Sequence, residues 1–115
     1  MHIKDSIRDD MGVIGLQGSL LGDKDAAMLL EVVHAHLHAG RRNILLDLSS
    51  LEFVNSIGLG TLFSIRSSVS KSRGKLMLAN LGGKVMELLV LTKADRVFSL
   101  SGSVDEGIKA LNTPQ

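Results

Sequence analysis

The chain predicts an α/β fold: a single small domain with a mixed, mainly parallel β-sheet of four to five strands and about four helices. Three observations carry this reading. Short apolar runs such as Ile44-Leu45-Leu46-Asp47-Leu48 alternate with longer stretches whose apolar residues recur at helical spacing. That alternation marks strand–helix–strand crossovers, which join parallel strands. The strand-like runs are nearly continuous in apolar character, as strands covered on both faces must be. Finally, 115 residues with 44% hydrophobic content make one domain with a real core, since a chain of this size buries roughly two thirds of its unfolded surface.

Taken in order, His2–Arg8 and Gly12–Gln17 read as the strands of an antiparallel hairpin turning near Asp10-Met11-Gly12, and Gly18–Gly22 reads as a loop. From Asp23, a suitable N-cap, the period changes. Ala26, Leu29, Leu30, Val33 and Leu37 form one buried helical stripe. Gly40 with Arg41-Arg42 suits its end, where cations meet the negative pole of the helix. Ile44–Leu48 is a central strand. Leu59, Leu62, Phe63, Ile65 and Val69 mark a second helix ending near Gly74, and Lys75–Ala79 is a further strand. Val85, Leu88, Leu89 and Thr92 mark a third helix, followed by a last short strand at Arg96–Leu100. Ser103-Val-Asp-Glu106 is a capping box opening a final helix through Leu111, and Thr113-Pro114-Gln115 is a loose tail.

Composition narrows the function. With no cysteine, disulfides and thiolate chemistry are excluded. A net charge of +1, with both signs interspersed, gives no footprint for nucleic acid or an acidic membrane. Aromatic residues at 3% offer little for stacking on bases. The opening MHIKDSIRDDMG carries aspartates and no apolar segment, unlike a secretory signal. No apolar run approaches the ~20 residues of a membrane span. The expectation is a cytoplasmic protein that contacts neither nucleic acid nor membrane directly.

Catalysis finds little footing. His34 and His38 lie i, i+4 on the first helix and share a face with Glu31, but the rest of a zinc-enzyme motif is missing. The three histidines of that helix, His36 included, fall off the predicted stripe and read as a solvated face. The Ser-hydrolase elbow needs Gly-x-Ser-x-Gly; Val54-Asn55-Ser56-Ile57-Gly58 lacks the first glycine, and no histidine follows Ser56. Gly58 and Gly60 begin a dinucleotide fingerprint, but its third glycine would fall at Phe63. No enzyme, catalytic residue, cofactor or metal is read here.

What remains is LEFVNSIGLG, Leu51–Gly60, with one serine between a strand-like lead-in and a helix start. Two readings stand side by side. Asn55 or Ser56 is the helix N-cap, worth about 1 kcal/mol. Alternatively Ser56 accepts a phosphate, which the positive helix pole stabilises by about 0.3–1 kcal/mol. A partner docked over the same loop would then meet unpaired charge.

The order of elements and the text LLDLSSLEFVNSIGLGTL resemble the STAS domain, and within it the stand-alone bacterial anti-sigma factor antagonists. Asp47-Leu48-Ser49 matches the family's strand end, and Asn55-Ser56-Ile57-Gly58-Leu59-Gly60 matches its hexad Asp-Ser-Ser-Gly-Leu-Gly. The resemblance covers nearly the whole chain and implies a STAS domain over 1–112, with 113–115 as the tail. It implies a partner-switching regulator of transcription. Unphosphorylated, it binds an anti-sigma factor that is a serine kinase; phosphorylated at Ser56, it is released; a PP2C-type phosphatase resets it. The implied docking face comprises Asn55, Ser56, Ile57, Gly58 and Leu59, with Gly22 and Asp23 nearby.

The chain departs from the pattern in three places. Asn55 stands for the usual aspartate, Ile57 replaces the second hydroxyl, and Gly18-Ser19-Leu20-Leu21-Gly22-Asp23 replaces Gly-Glu-Leu-Asp. Ile57 is either an exposed apolar anchor or packed under the loop. Arg66, inside the apolar arc of the second helix, either snorkels past the core edge or meets a partner. The competing functions are a non-switching scaffold subunit of a signalling assembly and a small anionic-ligand or nucleotide sensor.

Overall fold

Strands β1 (His2–Arg8) and β2 (Met11–Leu20) form the expected antiparallel hairpin in a computed structural model that describes residues 1–113. The turn is Asp9-Asp10, earlier than the pattern placed it, since Arg8 pairs with Met11. Both aspartates have left-handed backbones, φ 51° and 61°. Tight two-residue hairpin turns need that conformation, and aspartate tolerates it.

The expected loop at Gly18–Gly22 is largely strand. β2 continues to Leu20, pairing in parallel with β3 (Ile44–Val54) through Ser19↔Phe53 and Leu20↔Val54. Gly18, at φ 99°, lies beside a register shift in this pairing. The glycine that reads as a loop signal serves a strand irregularity instead.

The remaining elements are α1 (Asp23–His38), α2 (Ser56–Lys71), β4 (Leu76–Ala79), α3 (Gly83–Leu91), a 3-10 turn at Ala94–Arg96, β5 (Ser99–Ser101) and α4 (Val104–Asn112). The sheet order is β1-β2-β3-β4-β5, parallel from β2 onward. Parallel strands that step one way through a sheet, with crossovers of one hand, place their helices on one face. Accordingly Leu29 and Val33 of α1, Leu62 and Ile65 of α2, and Val85 and Leu89 of α3 share a core with Ile14, Leu46 and Leu78. On the other face Ile108 and Leu111 of α4 cover Met11, Val13, Leu45 and Met77. The continuous run Ile44-Leu45-Leu46 is thus buried from both sides, as expected.

β3 outruns its neighbour. Its pairing with β4 stops at Asp47↔Ala79, whereas its pairing with β2 continues to Val54. From Leu48 onward β2 and β3 form a two-stranded tongue, and α2 starts from its tip.

Several sequence expectations need correction. Asp23 opens α1 as its first helical residue; the N-cap is Gly22, which makes no side-chain bond. Asp23 and Asp25 instead put negative charge in the first turn, where the dipole favours it. The strand expected at Arg96–Leu100 is the end of the 3-10 turn followed by β5, shifted to Ser99–Ser101. The Val97 and Phe98 N–H groups both donate to the Ala94 carbonyl, at 2.9 and 3.1 Å, and so belong to the turn rather than the sheet. The Phe98 ring is buried in the helix-side core, its centroid 4.9 Å from that of Phe63. Phe63 itself is partly exposed at the stripe's edge. Ser103 does cap α4, its Oγ accepting from the Glu106 N–H at 3.1 Å. Thr113 follows α4 as its C-cap; the rest of the expected tail, 114–115, lies outside the described residues.

His36 is not solvated. It is buried in α1, one turn on from Val33, and its ring lies over Gly12, where any Cβ would come within 2.7–2.9 Å of ring atoms. The Arg41 Nε–H donates to His36 Nδ1 at 2.7 Å, so that nitrogen must carry a lone pair. Nε2–H then donates to Asp5 Oδ1 at 2.6 Å, tying α1 to the edge strand β1. The apolar count alone could not see this, because the helix turns a polar residue toward a polar edge strand.

Candidate functional site

The tip of the tongue decides which residue caps α2. Asn55 is extended (φ −106°, ψ −168°), and its Oδ1 accepts from the Gly58 N–H at 3.1 Å. Its backbone carbonyl accepts from the Leu59 N–H at 2.8 Å. The other end of the same amide, Nδ2, donates to the Leu21 carbonyl at 2.8 Å and so clamps the end of β2 to the start of α2. An ionised aspartate could accept from Gly58 but could not donate to Leu21. The asparagine that departs from the family pattern therefore does two jobs where a carboxylate does one.

With the cap supplied by Asn55, Ser56 is released from it. Ser56 is the first residue of α2, is exposed, and its hydroxyl has no side-chain hydrogen-bond partner among the described residues. No acidic side chain occupies the first turn of α2. The hydroxyl thus stands at a positive helix pole whose own first turn carries no carboxylate.

Gly58 explains how the helix comes so close to the strand. A Cβ there would fall 2.3 Å from the Leu20 carbonyl oxygen and 2.8 Å from a Val54 methyl. Gly58 is buried, so its part is to let the backbones approach, whereas a Cβ on Gly60 would meet nothing within 4 Å.

Of the residues expected at the docking face, Asn55, Ser56, Ile57 and Asp23 are exposed, Gly22 and Leu59 are half-buried, and Gly58 is buried. The Asn55–Leu21 bond brings the Gly22-Asp23 end of the β2–α1 connection to the hexad. Ile57 is 44% exposed, which settles its two readings in favour of the surface.

The sequence reading overlooked two neighbours, Leu21 and Phe53, which are 44% and 45% exposed. Phe53 looks like core text, but by that point β3 has only β2 beside it. Phe53 walls a groove of about 320 Å³ with Gly82, Gly83 and Lys84 at the start of α3, and Lys84 Nζ lies 4.3 Å from its ring centroid. A run of apolar residues longer than the strand that buries it is the only sequence signal for such exposure.

Elsewhere, His34 and His38 are exposed beside a groove between α1 and α2, with His34 Nε2 3.3 Å from Ser68 Oγ. No cluster of three or more metal-ligating side chains exists among the described residues. No described helix is long and apolar enough to cross a membrane.

A five-stranded mixed sheet with three helices on one face, a C-terminal helix on the other and a helix starting just beyond its central strand is the architecture of a STAS domain. The STAS domain profile matches residues 2–107, and the chain belongs to that family. A Thermotoga maritima protein provisionally named an anti-sigma factor antagonist is 33% identical over 73 residues, a span of 64% of this chain and 65% of that relative, just under two thirds of its length. The crystal structure of a Thermotoga maritima anti-sigma factor antagonist, also provisionally named, superimposes with a TM-score of 0.88 at 27% identity, over 96% of this chain and 95% of that one. SpoIIAA, a Bacillus cell-fate determinant solved in phosphorylated form, shares the fold at a TM-score of 0.73 and 15% identity, over 96% of this chain and all of its own (100%).

Proposed function

We propose that this chain is an anti-sigma factor antagonist that works by partner switching. Unphosphorylated, it docks on an anti-sigma factor that is a serine kinase; the kinase phosphorylates Ser56 and the complex dissociates; a PP2C-type phosphatase restores the hydroxyl. The chain itself performs no catalysis. The observation that carries the proposal is the division of labour at the tongue tip, where Asn55 caps α2 and leaves the Ser56 hydroxyl exposed and unbonded. That SpoIIAA, which shares the fold, has been solved in a phosphorylated form supports this reading.

The energetics constrain how release works. Swinging a partner from nearly all bound to nearly all free needs about 5.5 kcal/mol of differential affinity. The helix pole contributes only about 0.3–1 kcal/mol, and does so in the free protein. Most of the difference must arise where the new dianion faces the docked partner, through desolvation, steric clash and like-charge contact costing several kcal/mol. Leu21, Phe53 and Ile57 supply the apolar part of the docking face, and Asn55 holds its two elements together. The domain itself therefore changes little on phosphorylation.

Incubation with a serine kinase of the anti-sigma class and ATP, followed by intact-mass measurement, tests the proposal. It requires the gain of one phosphoryl group in the wild type and none in Ser56→Ala. Modification of Ser56→Ala at the wild-type level would place the acceptor elsewhere and end the proposal.

A further inference from the structure

At the opposite end of α2 from Ser56 lies a cleft that the proposed switching does not use. The rise of a helix puts it roughly 20 Å from Ser56 along the axis. Arg66 and Ser70, a helical turn apart on α2, line it together with Gly74 and Lys75 before β4, and with Val97 and Ser99 at the approach to β5. Leu76 and Phe98, both buried, lie at its apolar base.

The chemistry of the lining is one-sided. It contains two cations, one on α2 and one on the connection to β4, two hydroxyls and no carboxylate. Neither Arg66 nor Lys75 forms an ion pair among the described residues, and neither side chain makes a hydrogen bond there. Arg66 is exposed at the cleft although it interrupts the apolar arc of α2. Two like charges converging on one concavity repel each other, and a bound anion turns that repulsion into attraction. A guanidinium and an ammonium, which only donate, flanked by hydroxyls that can donate as well, form a cationic, donor-rich set suited to a tetrahedral oxyanion.

Size selects further. The cleft holds about 160 Å³, against roughly 300–1,000 Å³ for sites that enclose drug-sized ligands. A nucleotide cannot be buried in it.

We propose that the Arg66–Ser70–Lys75–Ser99 cleft binds a small phosphate-type oxyanion, either inorganic phosphate or the phosphoryl end of a small phosphomonoester. This site is separate from the Ser56 loop and does not depend on the switching proposal, since it uses none of the same residues.

The test is a ¹H–¹⁵N correlation titration of the full chain with sodium phosphate, and separately with glycerol phosphate, at constant ionic strength set by chloride. The expected result is a saturable shift at the amides of Ser70, Gly74, Lys75 and Ser99. It should weaken at least about tenfold in the Arg66→Gln/Lys75→Gln double variant, because charge-assisted hydrogen bonds are lost. Saturation by phosphate alone identifies the free ion as ligand; equal or tighter binding of glycerol phosphate identifies the phosphomonoester. Arg66 is exposed and Lys75 half-buried, so neither belongs to the core, and unchanged resonances away from the cleft certify the fold of the variant. Shifts that never saturate, that persist undiminished in the double variant, or that fall instead on the Ser56 loop would overturn the assignment.

Discussion

One side-chain amide organises the candidate site. Asn55 accepts from Gly58 and donates to Leu21, so its substitutions separate the two bonds. Asn55→Asp keeps the cap but loses the donor and sets a charge against the Leu21 carbonyl; Asn55→Ala loses both contacts. Urea denaturation should show a loss of about 1 kcal/mol for the aspartate variant and about 1–2 kcal/mol for alanine. Ser56→Ala should fall within about 0.5 kcal/mol of wild type, because the serine is exposed and does not cap. A Ser56→Ala variant as unstable as Asn55→Ala would mean that the hydroxyl holds the helix start after all. The sequence contained this choice without resolving it: Asn and Ser are both favoured caps and stand side by side. Only the β2–β3 tongue, a tertiary feature, brings the Leu21 carbonyl to the amide and assigns the role.

At the level of elements, close approach matters more than propensity. The two glycines of the hexad look alike in the sequence and behave oppositely in the fold. Gly58→Ala drives a methyl into the Leu20 carbonyl and should cost about 1–3 kcal/mol through overpacking. Gly60→Ala meets open space within a helix and should add about 0.5–1 kcal/mol. Thermal melts of the pair check both signs in one experiment: a Gly58→Ala variant as stable as the wild type would show that the α2–β2 packing is misread, and a destabilised Gly60→Ala that its surroundings are not open. The contact between β1 and α1 rests on the same kind of fit. His36→Ala empties the space over Gly12 and strands Asp5 and Arg41. Unfolding free energies should fall by about 2–4 kcal/mol, and amide exchange in β1 should rise more than in β4. Neither Gly58 nor His36 was legible as such. The hydrophobic period locates α1 and α2 correctly, but a glycine chosen for a neighbour's backbone and a histidine chosen for a neighbour's carboxylate leave no periodic trace.

For the whole molecule, the order of elements was legible because each strand–helix pair carries its own local period, and a one-handed crossover then fixes the sheet order. The errors gather where strands meet loops. The sequence pattern makes β2 and β3 too short because their final residues pair only with each other: Leu20, Leu48 and Leu51 still reach the core, but Ser49, Ser50, Glu52 and Phe53 are exposed and break the apolar run. That overrun carries the candidate site: it lifts Asn55 and Ser56 clear of the sheet and surrounds them with Leu21, Phe53 and Ile57. The proposed docking face and the proposed phosphate acceptor thus both sit on the overrun, the first apolar and the second an exposed hydroxyl. Chemical shifts of the phosphorylated domain should accordingly differ from the unmodified ones only around the tongue tip and the first turn of α2. Changes spread across the sheet would indicate refolding rather than local charge.

The most direct measurement is the affinity of an anti-sigma serine kinase partner for the domain before and after stoichiometric phosphorylation of Ser56, by calorimetry at fixed salt. A ratio of dissociation constants approaching about 10⁴ is what near-complete switching demands, with Ser56→Ala binding like the unmodified protein. Equal affinities for the two forms would contradict the account, because the charge placed on Ser56 would then have no partner to displace.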